Sequence, residues 1–234
     1  MCNAQCIIFG ATILKKDEVE GKRVIEVGSS DVNGSLRPIL ESWNPAEYVG
    51  IDIEPGPGVD LICPADQLLE KFGQDSFDVV LSTCVLEHIK DWRGAISNMK
   101  KVCKPNGILL VIVPSDWPFH AFPHDYWRFA KEDIENIFSD SEILVLTKDK
   151  EKPSLVYTKV RKPENFSERD LSGYQLYSII LNKKKEDITE DEYNEFLRRM
   201  VLMDKIRTNA LRLVEKVLAI TDRILTRSDC YRRI

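Results

Sequence analysis

Residues 22 to 28 read KRVIEVG, a basic pair, then three β-branched residues around a single Glu, then a glycine. Four apolar or near-apolar positions in a row suit a strand buried on both faces, and the glycine after them suits a tight turn. The pattern recurs as YVGIDI at 48–53, FDVVLS at 77–82 and GILLVIVP at 107–114. Helix-compatible stretches lie between the runs: SLRPILESW, ADQLLEKFG, and DWRGAISNMKKVCKPNG, whose Pro-Asn-Gly reads as the stop. Strands alternating with helices predict βαβ units: an α/β, Rossmann-like, doubly wound fold whose sheet is mostly parallel. KEDIENIF reads as a further helix, SEILVLTK and PSLVYTKV as a closing hairpin, and YQLYSIIL as one more strand or an edge element.

The chain has 234 residues, enough for one full α/β domain and an appendage of about 50 residues. The expected division is 1–183 for the domain and 184–234 for a helical C-terminal extension. Within the latter, Tyr193, Leu197, Met200, Ile206, Leu213, Val217, Ile220 and Ile224 form an apolar stripe at helical spacing. Two readings stay open for it: packing on its own domain or on a second copy as a homodimer, and a peripheral membrane contact, since Arg212, Lys216, Arg223, Arg227, Arg232 and Arg233 accompany the stripe.

Composition narrows the function. From residue 198 onward there are ten Lys/Arg against four Asp/Glu, so the preceding 197 residues carry 23 basic and 34 acidic groups. An acidic body is a poor platform for nucleic-acid phosphates. No 18-residue apolar run exists, so no transmembrane segment is expected, and the N-terminal stretch has no basic segment before its apolar one, which argues against a secretory signal. Six cysteines are scattered without paired spacing, which points to reduced thiols and a cytoplasmic protein. Cys2 and Cys6 have no second ligand pair nearby, so no metal site is read.

Ligands of such sheets bind at the carboxyl ends of the strands. After the first strand the chain reads GSSDVNGS, a glycine-containing turn. Asp52 ends the second strand 24 residues beyond Gly28, near the spacing of about 20 at which an acid meets a ribose diol. A nucleoside cofactor follows. A dinucleotide needs its pyrophosphate against a helix N-terminus, where this loop would put Asp31, and the second glycine of GxGxxG is missing. A sulfonium cation tolerates Glu26 and Asp31, which favours S-adenosylmethionine.

VIEVGSSDVNGSLRP, YVGIDIEPGPGVDLI, SFDVVLSTCVLEHIKDW and CKPNGILLVIVPS, in that order over residues 20–160, resemble the motifs of the class I S-adenosylmethionine-dependent methyltransferases of the small-molecule type. The resemblance implies a seven-stranded sheet and a methyltransferase. It also implies a cofactor site in which Glu26, Gly28, Ser29, Ser30 and Asp31 line the methionine end, Asp52 with Ile53 holds the ribose, Ala65 and Asp66 flank adenine, and Cys84 faces the cofactor. Two departures stand out: Ser30 replaces a glycine of the usual turn, with the next only at Gly34, and Pro64 occupies the place of an expected Asp.

Residues 120–129 read HAFPHDYWRF, two of three histidines and four aromatics in ten positions, following the strand where this fold places its acceptor loop. Removing the proton of a hydroxyl acceptor is histidine chemistry. His124 and His120 are the candidate bases, Asp125 orients an imidazole, and Arg128 or Tyr126 binds an acceptor. The resemblance implies that Trp127 and Phe129 pack beneath the next helix as core and that His88 in VLEHI helps shape the pocket. The expected reaction is methylation of a polar small molecule or glycan at oxygen. An RNA or protein methyltransferase and a non-catalytic cofactor-binding regulator stand as alternatives.

Overall fold

The computed structural model describes residues 4–120 and 124–231, with side chains to residue 215 and at Leu218. The chain forms two compact units, Met1–Ile188 and Thr189–Ile234. In the first, strands β1 (Arg23–Val27), β2 (Glu47–Asp52), β3 (Leu61–Ile62), β4 (Phe77–Thr83), β5 (Cys103–Pro114), β7 (Glu142–Lys148) and β8 (Leu155–Arg161) make one sheet. Its order is β3-β2-β1-β4-β5-β8-β7. β1 pairs in parallel with β2 and β4, β4 with β5, and only β8 runs against its neighbours. The chain winds one way from β1 to β3 and the other way from β4, so a crevice opens where β1 and β4 end.

Burial explains the apolar runs. Val79 to Thr83 of β4 and Gly107 to Pro114 of β5 are all buried, because helices cover both faces of the sheet. Helix α5 (Trp92–Val102) is capped by Asp91, whose carboxylate accepts from Gly94 N at 3.0 Å, and it buries Trp92, Ala95, Ile96, Met99 and Val102 at spacings of three and four. This helix stops earlier than the sequence suggests. Pro105 disfavours helical geometry at Lys104, so the chain turns extended at Cys103, which pairs with Phe77, and reaches Gly107 through Asn106 at φ 64° and a register shift.

The N-terminal helix α1 (Ala4–Ile13) lies over the carboxyl end of the sheet, with Cys6 packed among Cys84, Ile112, Leu155 and Tyr157. After it comes the short α2 (Lys16–Val19). Lys159 on β8 fixes this segment, its buried ammonium donating to Ile13 O at 2.9 Å and to both Glu18 oxygens at 2.7 Å. Past β5, a second sheet of order β10-β9-β6 contains β6 (Trp127–Arg128), β9 (Leu176–Ser178) and β10 (Lys183–Lys185). YQLYSIIL thus joins the acceptor loop rather than the edge of the main sheet, because Trp127 and Arg128 offer Ser178 and Tyr177 an open ladder.

The second unit is helix α7 (Glu190–Tyr231). Thr189 and Glu192 cap it reciprocally, Thr189 Oγ1 accepting from Glu192 N and Glu192 Oε2 from Thr189 N. Met200, Met203, Ile206, Leu213 and Leu218 are exposed in the single chain. Among the described residues no helix is long and apolar enough to cross a membrane.

Lys159→Met should strand the Glu18 carboxylate and cost about 2 kcal/mol in urea unfolding, less than the roughly 3–5 of a fully buried pair because Glu18 keeps some water. An unchanged unfolding midpoint would show that the clamp contributes nothing.

Candidate active site

The turn after β1 is folded onto the end of β2. Gly28 N and Ser29 N both donate to Ile51 O, at 2.8 and 2.9 Å, Ser30 N to Asp52 Oδ2 at 3.1 Å, Asp31 N to Pro57 O at 2.8 Å, and Gly34 N to Asp31 Oδ1 at 2.9 Å. A phosphate cradle needs such N–H groups free, and here they are consumed. Asp31 caps its own turn; the helix that follows, α3 (Arg37–Glu41), begins six residues later and is five residues long. Gly28 has φ 77°, and a Cβ there would lie 2.1 Å from Val85 Cγ2, so only glycine lets the turn approach the segment leaving β4.

Asp52 sits at the mouth, half-buried, with Oδ1 accepting from Ile53 N at 2.7 Å. Each carboxylate oxygen retains acceptor capacity for a diol. Ile53 is 63% exposed beside it, and Ala65 and Asp66 start a 3-10 turn that continues into α4 (Leu68–Phe72). Ser29 Oγ is buried and has no hydrogen-bond partner. These features fit an adenosyl sulfonium: an acid for the ribose, an exposed apolar side chain for the base, an unsatisfied hydroxyl, and no phosphate seat.

Two members of the expected set lie elsewhere. Glu26 is 3% exposed beneath the turn, where it accepts a 2.7 Å hydrogen bond from the Tyr48 hydroxyl. Cys84 follows β4 in the left-handed region at φ 54°, and its sulfur meets Cys6 Sγ at 3.8 Å under α1. Burial raises the Glu26 carboxyl from 4.5 to about 7, against the opposing Tyr48 hydrogen bond and Arg37 charge.

Across the crevice the acceptor loop is held by buried polar bonds. Asp125 and Arg128, 0% and 2% exposed, form a two-pronged pair at 2.5 and 2.6 Å. The remaining Arg128 donors go to the carbonyls of Trp117, Pro118 and Trp127. The guanidinium is therefore spent inside the loop, and the expectation that it binds an acceptor gives way to a bracing role. Trp127 and Phe129 are core, as the family resemblance implies. Burial would raise the Asp125 carboxyl, but the Arg128 and His120 hydrogen bonds override it and hold it at about 2.

His120 Nδ1 lies 2.9 Å from Asp125 Oδ2, which raises its pKa above 6.5 despite partial burial, while its Nε2 faces His88 Nε2 at 3.3 Å. His88 Nδ1 contacts His124 O at 2.6 Å, and Glu87 Oε1 lies 3.8 Å from His88 Nε2. Burial is the main cause holding His88 below 6.5. The His124 ring stacks on Tyr126 at 5.9 Å. Sequence reading missed Glu87 and treated His88 as a wall. The signal available was an acid and an imidazole side by side just past a strand that ends at the crevice.

The methyltransferase domain family matches residues 6–149. The chain belongs to the class I S-adenosylmethionine-dependent methyltransferases. It is 27% identical over 124 residues to the ubiquinone biosynthesis O-methyltransferase of Pasteurella multocida (strain Pm70), covering 46% of this chain and 49% of that one. The chain thus spans about half the length of the curated relative it matches. Its fold is shared with the 1,6-didemethyltoxoflavin-N1-methyltransferase of Burkholderia thailandensis, solved with S-adenosylhomocysteine, at a TM-score of 0.53, 14% identity, and coverage of 67% and 78% of the two chains. The N-methyltransferase NodS of Bradyrhizobium japonicum WM9 gives 0.51, 17%, 67% and 94%.

The Glu26 carboxyl has a pH signature. A carboxyl whose folded value exceeds its unfolded one favours the native state below the unfolded value of 4.5, and that contribution is lost as pH rises through about 7. At 1.36 kcal/mol per unit the loss is about 3 kcal/mol. Glu26→Gln should abolish it, so wild type should fall by about that amount relative to the variant between pH 5 and pH 9 in denaturant titrations. Parallel pH profiles would refute the assignment.

Proposed function

We propose that this methyltransferase moves a methyl group to an oxygen of a small polar acceptor, a glycan included, in the cytoplasm, where buried thiols such as Cys63 and Cys103 stay reduced. The observation that carries the reading is the convergence of His120, His88 and Glu87 beside the crevice, with one imidazole oriented by a buried carboxylate. The curated relative's name, an O-methyltransferase of ubiquinone biosynthesis, supports oxygen as the acceptor atom.

When bound, S-adenosylmethionine supplies an electrophilic methyl group on a positively charged sulfur. Asp52 would accept from the ribose, Ile53 and Ala65 would border the base with Asp66, and the acids around Gly28 would tolerate the cation. The protein's task at the acceptor is positioning and proton removal. His120 Nδ1 donates to Asp125, which leaves Nε2 to take the hydroxyl proton. Methyl transfer to the deprotonated oxygen is the chemistry the cofactor would supply. Geometry favours His120 over His124, because His124 meets the cluster through its carbonyl.

Asp52→Ala should weaken S-adenosylhomocysteine binding at least tenfold by calorimetry; equal affinity would remove the ribose role. His120→Ala should leave that affinity intact and lower kcat by roughly 10²–10⁴ toward a catechol or phenol acceptor, the scale of a lost general base, with His124→Ala far milder. The reverse ranking would return the base to His124.

A further inference from the structure

We propose that Glu87, His88 and His120 form a divalent-cation site whose open position takes the acceptor oxygen, an inference that rests on the O-methylation reading only for what fills that position. The hydrogen bonds dictate the argument. His88 Nδ1 lies 2.6 Å from the His124 carbonyl, which only accepts, so the proton of that ring is on Nδ1. His120 Nδ1 lies 2.9 Å from the Asp125 carboxylate, already claimed by Arg128, so its proton is on Nδ1 too. A neutral imidazole has one N–H. With both rings neutral, both Nε2 atoms present lone pairs, and they face one another at 3.3 Å.

Two lone pairs at that separation repel unless positive charge lies between them. The third wall of the gap is Glu87, 2% exposed, with Oε2 buried and without a hydrogen-bond partner. One donor atom from each residue lies within 4.8 Å of the others. A divalent cation satisfies all three groups at once, whereas a single proton between the rings pairs Glu87 only through Oε1 at 3.8 Å and leaves Oε2 without a hydrogen bond. Metal bonds of about 2.0–2.2 Å at tetrahedral angles put ligand atoms roughly 3.4 Å apart and two imidazole centres roughly 5 Å apart. Here the nitrogens are 3.3 Å and the ring centres 4.9 Å apart.

The surroundings match a metal site beyond its ligands. Each imidazole gives its other N–H to a fixed acceptor, Asp125 for His120 and the His124 carbonyl for His88, the arrangement that orients metal-bound histidines. Two imidazoles and one carboxylate select zinc, cobalt, manganese or iron over calcium and magnesium. Three protein ligands leave a coordination position open, and a hydroxyl bound there would be acidified by the metal, so that His120 Nε2 would serve as a ligand in the metal-bound enzyme and as the base only in the metal-free one. The site lies beside the crevice at the end of β4.

The test uses the full chain after dialysis against a chelator, titrated with Co²⁺ and read by its visible absorption bands. One equivalent should bind saturably, and Zn²⁺ should displace it. His88→Ala, His120→Ala and the volume-preserving Glu87→Gln should each weaken Co²⁺ by more than the 10–100-fold typical of losing an outer partner. His124→Ala should not, since only its carbonyl takes part. Absence of saturable uptake, or equal uptake by the three ligand variants, overturns the site. S-adenosylhomocysteine calorimetry on the same samples separates the readings. Intact cofactor binding with no Co²⁺ uptake sinks the cation site alone, and turnover still lost in metal-free His120→Ala then leaves the imidazole as the base.

Discussion

Strand β4 is paired in parallel on both sides, with β1 at Val24↔Val79 to Val27↔Ser82 and with β5 at Val79↔Ile108 to Thr83↔Ile112. The turn at Gly28, the Glu87–His88 pair and the loop with His120 are arranged around its carboxyl end. A strand so placed has both faces under helices, which is why Val79, Val80 and Leu81 are fully buried. At about 1.5–3 kcal/mol per fully buried aliphatic side chain, this ladder is the rigid reference for the site. The turn at Gly28 leaves one neighbour, the acceptor loop leaves the other, and Glu87 and His88 follow β4 itself. Three segments far apart in sequence thus reach one crevice through a single register.

The turn at Gly28 shows how backbone bonding selects a ligand's charge. In a dinucleotide site the N–H groups past the first strand point at phosphate. Here Ile51 O, Asp52 and Pro57 O have taken those of Gly28, Ser29, Ser30 and Asp31. With the donors occupied and two carboxylates nearby, the crevice repels an anion and accepts a sulfonium. The missing glycine at Ser30 is part of the same design, since the turn lies against Gly56 and Gly58 of the next loop instead of wrapping a phosphate.

The cofactor half was legible because its signals are local. Continuous apolar runs of four to eight residues, a glycine after the first and an acid ending the second follow from the requirements of a parallel sheet. What failed to show was tertiary. The end of α5 was misplaced because Pro-Asn-Gly resembles a stop, while the pairing of Cys103 with Phe77 had already ended the helix. Arg128 read as a substrate ligand because charge in an aromatic loop suggests one, yet Asp125, three residues earlier, consumes it. Glu87 was invisible because its role depends on His120, 33 residues away.

Asp125 unites these results. An imidazole near a crevice is ambiguous until something fixes which nitrogen bears the proton. A carboxylate held at about 2 by Arg128 remains ionised through the neutral range, so it goes on accepting from His120 Nδ1 whatever occurs at Nε2. Had Arg128 faced the solvent, burial would have driven the Asp125 carboxyl upward, and a protonated Asp125 would donate to Nδ1 and reverse the tautomer. The buried guanidinium therefore sets the His120 tautomer through Asp125 while its own donors are spent inside the loop. It keeps one proton of His120 on Nδ1 and so makes Nε2, which faces the Nε2 of His88, the atom at which a proton or a ligand is gained.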